Sequence, residues 1–167
     1  MIRLRAFLPS LRIVYSPTRA WQAVREARPG WVASLAVQVL PFSLLWAIAW
    51  PRASTVVLSL AGVVMLALGF FILAPWFGSR RSWDRSVALA AYASTPVFLS
   101  WVLLLIPVLV VIPVVALLHC FALCYLGVQQ LLECPEPEAA MLVAGAWVFG
   151  AFGSMLLGGL CSAAGLI

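Results

Sequence analysis

The chain has 167 residues, of which 65% are hydrophobic and 9% are charged, and its formal net charge is +5. Average globular proteins are about 45–50% apolar and about 25% charged. So few charged side chains cannot cover the surface of a soluble domain of this length. The composition therefore excludes a soluble enzyme, a secreted disulfide scaffold and a disordered chain, and it indicates an integral membrane protein.

Four long stretches without a charged residue mark the membrane segments. They comprise residues 29–51, 53–79, 86–132 and 139–167, and they are 23, 27, 47 and 29 residues long. About 20 helical residues cross a bilayer core about 30 Å thick, so the 47-residue stretch should hold two spans. Continuous apolar character excludes a porin-type barrel, whose strands alternate. We expect an all-α, polytopic helical bundle with five transmembrane helices, at about 31–50, 55–77, 86–106, 109–132 and 139–165.

The third and fourth predicted spans need a tight turn between them. Proline ends or kinks a helix, which favours a turn at Ile106-Pro107-Val108-Leu109, with Pro113 as a second position. A pair of re-entrant half-helices in this stretch is the alternative.

The arginine residues predict the orientation, because short loops rich in basic residues stay in the cytoplasm. All ten basic residues are arginine; six precede residue 31 and three lie between the second and third predicted spans. The loop between the first two spans carries only Arg52. We therefore expect a cytoplasmic N-terminus and a C-terminus outside. The absence of lysine favours a bacterial source, so the expected membrane is the inner one and the C-terminus is expected to be periplasmic.

Residues 1–30 are expected to form cytoplasmic juxtamembrane helices, ahead of a five-span membrane domain at 31–167. A second helix should begin after Ser16, a good N-cap, with Pro17 at its first position, and should stop at Pro29-Gly30. The first helix is amphipathic and should lie on the membrane surface. Its apolar residues recur at helical spacing at Leu4, Phe7, Leu8, Leu11 and Tyr15. These helices are either a surface anchor or a docking surface for a cytoplasmic partner.

An acidic loop with two prolines, residues 133–138, separates the last two predicted spans. It is predicted to face the same side as the loop that carries Arg80, Arg81 and Arg85. The two loops should form an intramolecular ion-pair cluster. A site for a basic partner or a cation is the alternative.

His119 is the one ionisable side chain other than cysteine or tyrosine expected deep in a span, and such residues are often functional. It is interpreted as structural, bonded to a neighbouring helix. His119 and Cys120 point about 100° apart on a helix, and no second histidine is present for a bis-histidine haem. We therefore predict no metal and no cofactor. The cysteines are expected to be free thiols: Cys120, Cys124, Cys134 and Cys161.

Known catalytic patterns are missing from the sequence. It contains no HExxH, GxSxG, GxxxxGK[ST] or CxxC, and Asp84 is its only aspartate. We therefore expect no catalytic residue and no enzymatic activity.

The last predicted span carries small residues at every fourth position, which is typical of closely packed membrane helices. Packing within the subunit is one use of such a face, and homodimerisation is the other. The candidate helix-packing face comprises Ala146, Gly150, Ser154, Gly158 and Ser162.

Three segments resemble the bacterial branch of the Yip family, the Ypt/Rab-interacting proteins. Tyr92-Ala93-Ser94-Thr95-Pro96 is similar to the family's Y-(A/S)-x-T-P segment, and Ser16–Trp21 is similar to its P-x-x-(A/T)-W element. The leucine-rich fourth span, ending near Tyr125, resembles the family's aromatic-ended fourth helix. The resemblance covers about residues 10–165 and implies five spans with a cytoplasmic N-terminus. Eukaryotic relatives bind Rab-type GTPases, but this role does not transfer to a bacterium, and the resemblance implies no catalytic residue.

The segment around Pro96 is also a candidate polar site within the membrane. Pro96 lacks an N–H and frees the carbonyl of Tyr92, while Ser94 and Thr95 can bond local carbonyls and bend the helix. A lipid-headgroup or solute site that includes His119 is one interpretation. A kink that only serves packing is the other.

The sequence thus favours a non-enzymatic membrane protein that organises or stabilises membrane components. Its expected partners are membrane lipids and a membrane protein or a second copy of the chain, without nucleic acid. A transporter of a small solute, ion or lipid, using the kink at Pro96, is the alternative.

Overall fold

The computed structural model describes residues 8–49, 53–103 and 111–164, and within these ranges it contains helices and no strand. The predicted all-α helical membrane bundle is therefore confirmed. A π-helical turn, Leu35–Val39, joins α3 to α4, and a 3-10 turn, Ala74–Phe77, follows α5. The α-helices are α1 (Leu8–Tyr15), α2 (Pro17–Ala27), α3 (Trp31–Ser34), α4 (Leu40–Ala49), α5 (Ala53–Leu73), α6 (Trp83–Ala93), α7 (Thr95–Leu103), α8 (Val111–Leu131) and α9 (Glu136–Ala163).

Within the described ranges, three helical segments are long and apolar enough to cross a membrane. They are Val56–Phe77, Val111–Leu131 and Glu136–Ala163. The first predicted span is interrupted by the π turn, and the third is broken at Ser94 between α6 and α7. The predicted turn at 106–109 lies outside the described residues. The count of five spans therefore stays a prediction.

Helices α5 and α9 pack closely because small residues face each other. A Cβ atom on Gly69 would stand 2.9 Å from the carbonyl oxygen of Ala146, and one on Gly150 would stand 3.2 Å from the Cα atom of Leu66. Such spacing leaves no room for a side chain at either glycine. Close backbone approach supplies the van der Waals contact that holds membrane helices together.

The predicted small-residue face of α9 divides into two parts. Ala146, Gly150 and Ser154 face α5, and Ser154 Oγ would lie 3.8 Å from a Cβ atom on Gly62. Gly158 would have no described atom within 4 Å of its Cβ, and Ser162 is exposed. Packing within the subunit thus uses the first three positions. Homodimerisation, the alternative use predicted for this face, stays a prediction.

Helix α6 lies at the centre of the bundle. Its residues from Ser86 to Ala93 are all buried, because α3, α5 and α8 pack around it. Four of these eight residues are alanine, which allows several helices to approach one axis. The core is therefore built around α6.

The N-terminal helices α1 and α2 form a hairpin against this core. Helix α2 begins at Pro17 after Ser16, as predicted, although the Ser16 side chain makes no capping hydrogen bond. It ends at Ala27, and Arg28 closes it in the left-handed region with φ of 42°. Both of its predicted ends are thus close to the observed ones.

Helix α1 differs from the prediction of a helix that only lies on the membrane surface. Ile13, which is outside the predicted apolar face, is fully buried, because α1 packs against α6 and α7. Tyr15, which belongs to that face, is 73% exposed. Leu4 and Phe7 lie outside the described residues. Helix α1 is therefore part of the bundle.

Candidate functional site

Two loops are bonded to each other at one end of the bundle, which we call the arginine end. The loop after α5 carries Arg80, whose backbone N–H donates to the carbonyl of Leu132 over 2.7 Å. The Arg85 guanidinium, in the first turns of α6, donates to the carbonyl of Leu131 at the end of α8 over 2.7 Å. These bonds join the termini of α5, α6 and α8 into one surface.

Three arginines surround one carboxylate at the arginine end. Arg85 Nη1 donates to Oε1 of Glu133 over 2.8 Å, while Arg80 Nη1 and Arg25 Nη2 lie 3.8 and 3.9 Å from the same oxygen. The hydrogen bond from Arg85 and the charges of the three arginines lower the pKa of Glu133 from its ordinary value. The predicted intramolecular ion-pair cluster is therefore present.

The structure adds Arg25 to this cluster, which the sequence analysis did not include. Arg25 lies on α2, about a hundred residues before Glu133 in the chain, so no local pattern could connect them. The only available signal was the i, i+4 spacing of Trp21 and Arg25, which places both on one face of α2.

Trp21 sets the position of Arg25. Its side chain is fully buried, and its ring lies where a side chain on Gly127 of α8 would stand, beside Leu89 of α6. Gly127 precedes the end of α8 by one turn. Arg25, one turn after Trp21, therefore reaches the loop that follows α8.

Asp84 and the N-terminus of α3 meet at the same end. The backbone N–H of Trp31 donates to Asp84 Oδ1 over 2.9 Å. A carboxylate at the first turn of a helix satisfies a free N–H and interacts favourably with the helix dipole. The only aspartate of the chain therefore acts as a helix cap across 53 positions of sequence.

Cys134 lies buried beneath the cluster. Its thiol donates a weak hydrogen bond to the carbonyl of Phe77 over 3.8 Å, and burial raises the pKa of this thiol above its ordinary value. A thiol with a raised pKa is a poor nucleophile and a poor metal ligand. Cys134 is free, as predicted, and so are the three cysteines Cys120, Cys124 and Cys161.

The predicted polar site around Pro96 coincides with the break between α6 and α7. Ser94 Oγ donates to the carbonyl of Ala90 over 2.7 Å, as the bent-helix interpretation requires. Tyr92 and Thr95 are buried, and the Thr95 hydroxyl has no hydrogen-bond partner among the described residues. The structure places these residues in the bundle interior, while a binding role for them stays a prediction.

His119 is half-buried on α8, and its Nε2 atom has no hydrogen-bond partner among the described residues. The predicted bond of His119 to a neighbouring helix is therefore not observed at this nitrogen. The neighbour of Ser94 on α8 is Cys120, whose thiol lies beside Ser94 and Cys124. Among the described residues, no three histidine, cysteine or acidic side chains group closely enough to hold a metal ion.

Gln38 is a buried polar residue that the sequence analysis missed. It lies in the π turn with only 1% of its surface exposed, and neither its amide nitrogen nor its amide oxygen has a partner among the described residues. Such turns are frequent at functional positions. The only available signal was a glutamine inside a predicted span.

Gln38 and Thr95 lie in two neighbouring helical segments. The α3–α4 segment runs parallel to α6–α7, because Trp31 contacts Asp84 at one end and the Phe42 ring stacks on Phe98 with centroids 6.3 Å apart at the other. Along the chain, Gln38 lies between Trp31 and Phe42, and Thr95 lies between Asp84 and Phe98. Both neighbouring segments are thus irregular between the same two contacts.

Long apolar helices packed through small residues, with arginines collected at one end, define this protein as an integral membrane helical bundle. The sequence model of the Yip1 domain matches residues 11–157, so the chain belongs to that family. No curated protein and no solved structure matches the chain. The resemblance read from the sequence is thereby confirmed for the family, while the bacterial branch stays a prediction.

Proposed function

We propose that this protein is a non-enzymatic membrane protein that organises or stabilises other membrane components through protein or lipid contacts. The observation that carries the proposal is the ordered construction of the arginine end. Trp21 anchors α2, and a main-chain hydrogen bond ties the loops of Arg80 and Leu132 together. A surface that is already ordered loses less entropy on binding than mobile loops do.

The charge of this surface supports a binding role. Arg25, Arg80 and Arg85 carry three positive charges around the single negative charge of Glu133. The side chains of Arg25 and Arg80 are 55% and 62% exposed. Complementary charge affects the register and the rate of association more than it affects the affinity.

We also propose that the arginine end faces the cytoplasm of a bacterium, with the bundle in the inner membrane and the C-terminus in the periplasm. The positive-inside rule supports this orientation. A C-terminal alkaline phosphatase fusion should be active and an N-terminal green fluorescent protein fusion should be fluorescent. The reverse pattern would overturn the orientation.

Crosslinking in native membranes, followed by purification in mild detergent, tests the organising role. The wild-type chain should recover a stoichiometric membrane-protein partner or a second copy of itself. The double variant R25E/R80E should lose it, because these two exposed side chains supply the positive charge of the arginine end. The control S162E changes an exposed residue at the far end of α9 and should keep the partner. Recovery of the chain alone, together with solute transport in liposomes, would contradict the proposal.

A further inference from the structure

The donors at the arginine end are not all used within the protein. Only Arg85 lies within hydrogen-bond distance of Glu133, at 2.8 Å, whereas Arg80 and Arg25 stand at 3.8 and 3.9 Å. Charge-assisted hydrogen bonds of this kind are about 2.7–2.9 Å long. Each guanidinium has five N–H donors in a planar fork. Arg25 and Arg80 therefore keep donors that the carboxylate does not engage.

The two outer guanidinium groups are close enough to share one ligand. Arg25 Nη2 and Arg80 Nη1 lie less than about 8 Å apart, because each is within 4 Å of the same oxygen of Glu133. A tetrahedral phosphate with two oxygens at hydrogen-bond distance can bridge nitrogens up to about 8 Å apart. The planar fork of arginine matches a phosphate group in a bidentate manner.

The depth of the cluster indicates where such a phosphate comes from. The cluster lies at the ends of the three candidate spans, Val56–Phe77, Val111–Leu131 and Glu136–Ala163. Trp76 and Trp31 lie at the same end and are 78% and 45% exposed. Exposed tryptophans collect at the headgroup level of a bilayer.

We infer that Arg25 and Arg80 form a site for the phosphate group of an anionic phospholipid in the adjacent leaflet. The inference deepens the proposed function, on which it rests, by naming a lipid class. One phosphate oxygen accepts from Arg25 and another accepts from Arg80. The ligand joins α2 to the loop after α5 without covalent chemistry. Arg85 stays bonded to Glu133 and Leu131 and positions the carboxylate.

Glu133 distinguishes this site from a purely structural ion-pair cluster. Its negative charge repels a phosphate that approaches the two outer arginines. The variant Glu133→Gln should therefore bind the lipid more tightly, by about threefold or more. An ion-pair cluster without a ligand gives no such increase.

The test uses the full chain, purified in an uncharged detergent. Phosphatidylglycerol and phosphatidylcholine with identical acyl chains are titrated and bound lipid is counted by native mass spectrometry. One phosphatidylglycerol molecule should bind with clear preference over phosphatidylcholine. The variants Arg25→Gln and Arg80→Gln should each weaken this binding at least about tenfold, since one charged hydrogen bond is lost. The control Arg19→Gln, exposed on the same helix, should weaken it at most about fivefold.

Three results would overturn the inference. The first is equal binding of the two lipids, and the second is an equal loss in Arg19→Gln and in the two cluster variants. The third is competition by inorganic phosphate at millimolar concentration, which would identify a free anion as the ligand. Circular dichroism and thermal unfolding of each variant show that a loss of binding is not a loss of fold. Because the assay needs no protein partner, failure here is separable from failure of the crosslinking experiment.

Discussion

The indole ring of Trp21 occupies the space that a side chain at position 127 would fill. Two ring atoms lie 2.8 and 2.9 Å from the point where a Cβ atom on Gly127 would stand. The absence of a side chain on α8 therefore allows α2 to dock. Docking of α2 in turn brings Arg25 to Glu133, so one glycine controls the composition of the arginine end.

Substitution of Gly127 by alanine should release α2 from the bundle. The added methyl group meets the rigid ring of Trp21 and the side chain of Leu89, and overpacking of this kind costs about 1–3 kcal/mol. Trypsin should then cleave after Arg19 or Arg25 faster than in the wild type. The control Gly159→Ala lies on α9, where a Cβ atom would have no described atom within 4 Å, and it should leave the cleavage rate unchanged. Unchanged cleavage in Gly127→Ala would show that Trp21 does not anchor α2.

Substitution of Gly69 by alanine should weaken the packing of α5 on α9. Its Cβ atom would stand 2.9 Å from the backbone oxygen of Ala146, which cannot move without moving the helix. We expect the free energy of unfolding in a detergent titration to fall by about 1–3 kcal/mol. The control Gly158→Ala should be neutral, or stabilising by up to about 1 kcal/mol through helix propensity. Equal effects of both substitutions would contradict close packing at Gly69.

The stability of the arginine end should depend on pH through Glu133. The pKa of Glu133 is lowered in the folded protein, first by the hydrogen bond from Arg85. A lowered carboxylate pKa stabilises the fold fully above the ordinary glutamate range. This contribution is lost as the pH falls from the ordinary glutamate range through the lowered pKa of the folded protein.

The thermal midpoint of the wild type should therefore fall more steeply on acidification below about pH 4.5 than that of Glu133→Gln. The difference between the two curves isolates Glu133 from the other carboxylates. The substitution Glu26→Gln, exposed on α2 and outside the first turn of that helix, serves as the control and should follow the wild type. Parallel curves for Glu133→Gln and the wild type would show that the ion pairs of Glu133 do not stabilise the fold.

Substitution of Gln38 by leucine should stabilise the bundle. The amide of Gln38 is buried without a hydrogen-bond partner among the described residues, which costs about 1–3 kcal/mol. Leucine has a similar volume and no polar group to satisfy. The thermal midpoint in detergent should rise, while Gln22→Leu, exposed on α2, should leave it nearly unchanged. A lower midpoint for Gln38→Leu would mean that the amide is engaged by a bound group.

Spacing rules predicted the features that depend on neighbouring residues. The apolar stretches predicted helices close to α5, α8 and α9, and Ser16-Pro17 predicted the start of α2. The break at Ser94 follows from Pro96, which cannot donate within the helix. Each of these features is local, because hydrophobic length, N-capping and proline geometry act within a few residues.

The same rules were less accurate where packing decided the outcome. The apolar face predicted for α1 omitted Ile13, although this side chain is fully buried. His119 was expected to bond to a neighbouring helix, and its Nε2 atom has no hydrogen-bond partner among the described residues. Helical periodicity gives the direction of a side chain relative to its own helix. It does not say which helix lies on that side.

The sequence by itself determined the membrane class, the Yip family and the collection of arginines in a few loops. These follow from apolar length, short motifs and charge distribution, all of which can be read along one chain. Only the tertiary structure decided that Arg25 joins Arg80 and Arg85 around Glu133, and that Gln38 is buried without a hydrogen-bond partner among the described residues. The physical reason is that these groups meet through close helix contacts, such as Trp21 on Gly127, between residues far apart in the chain.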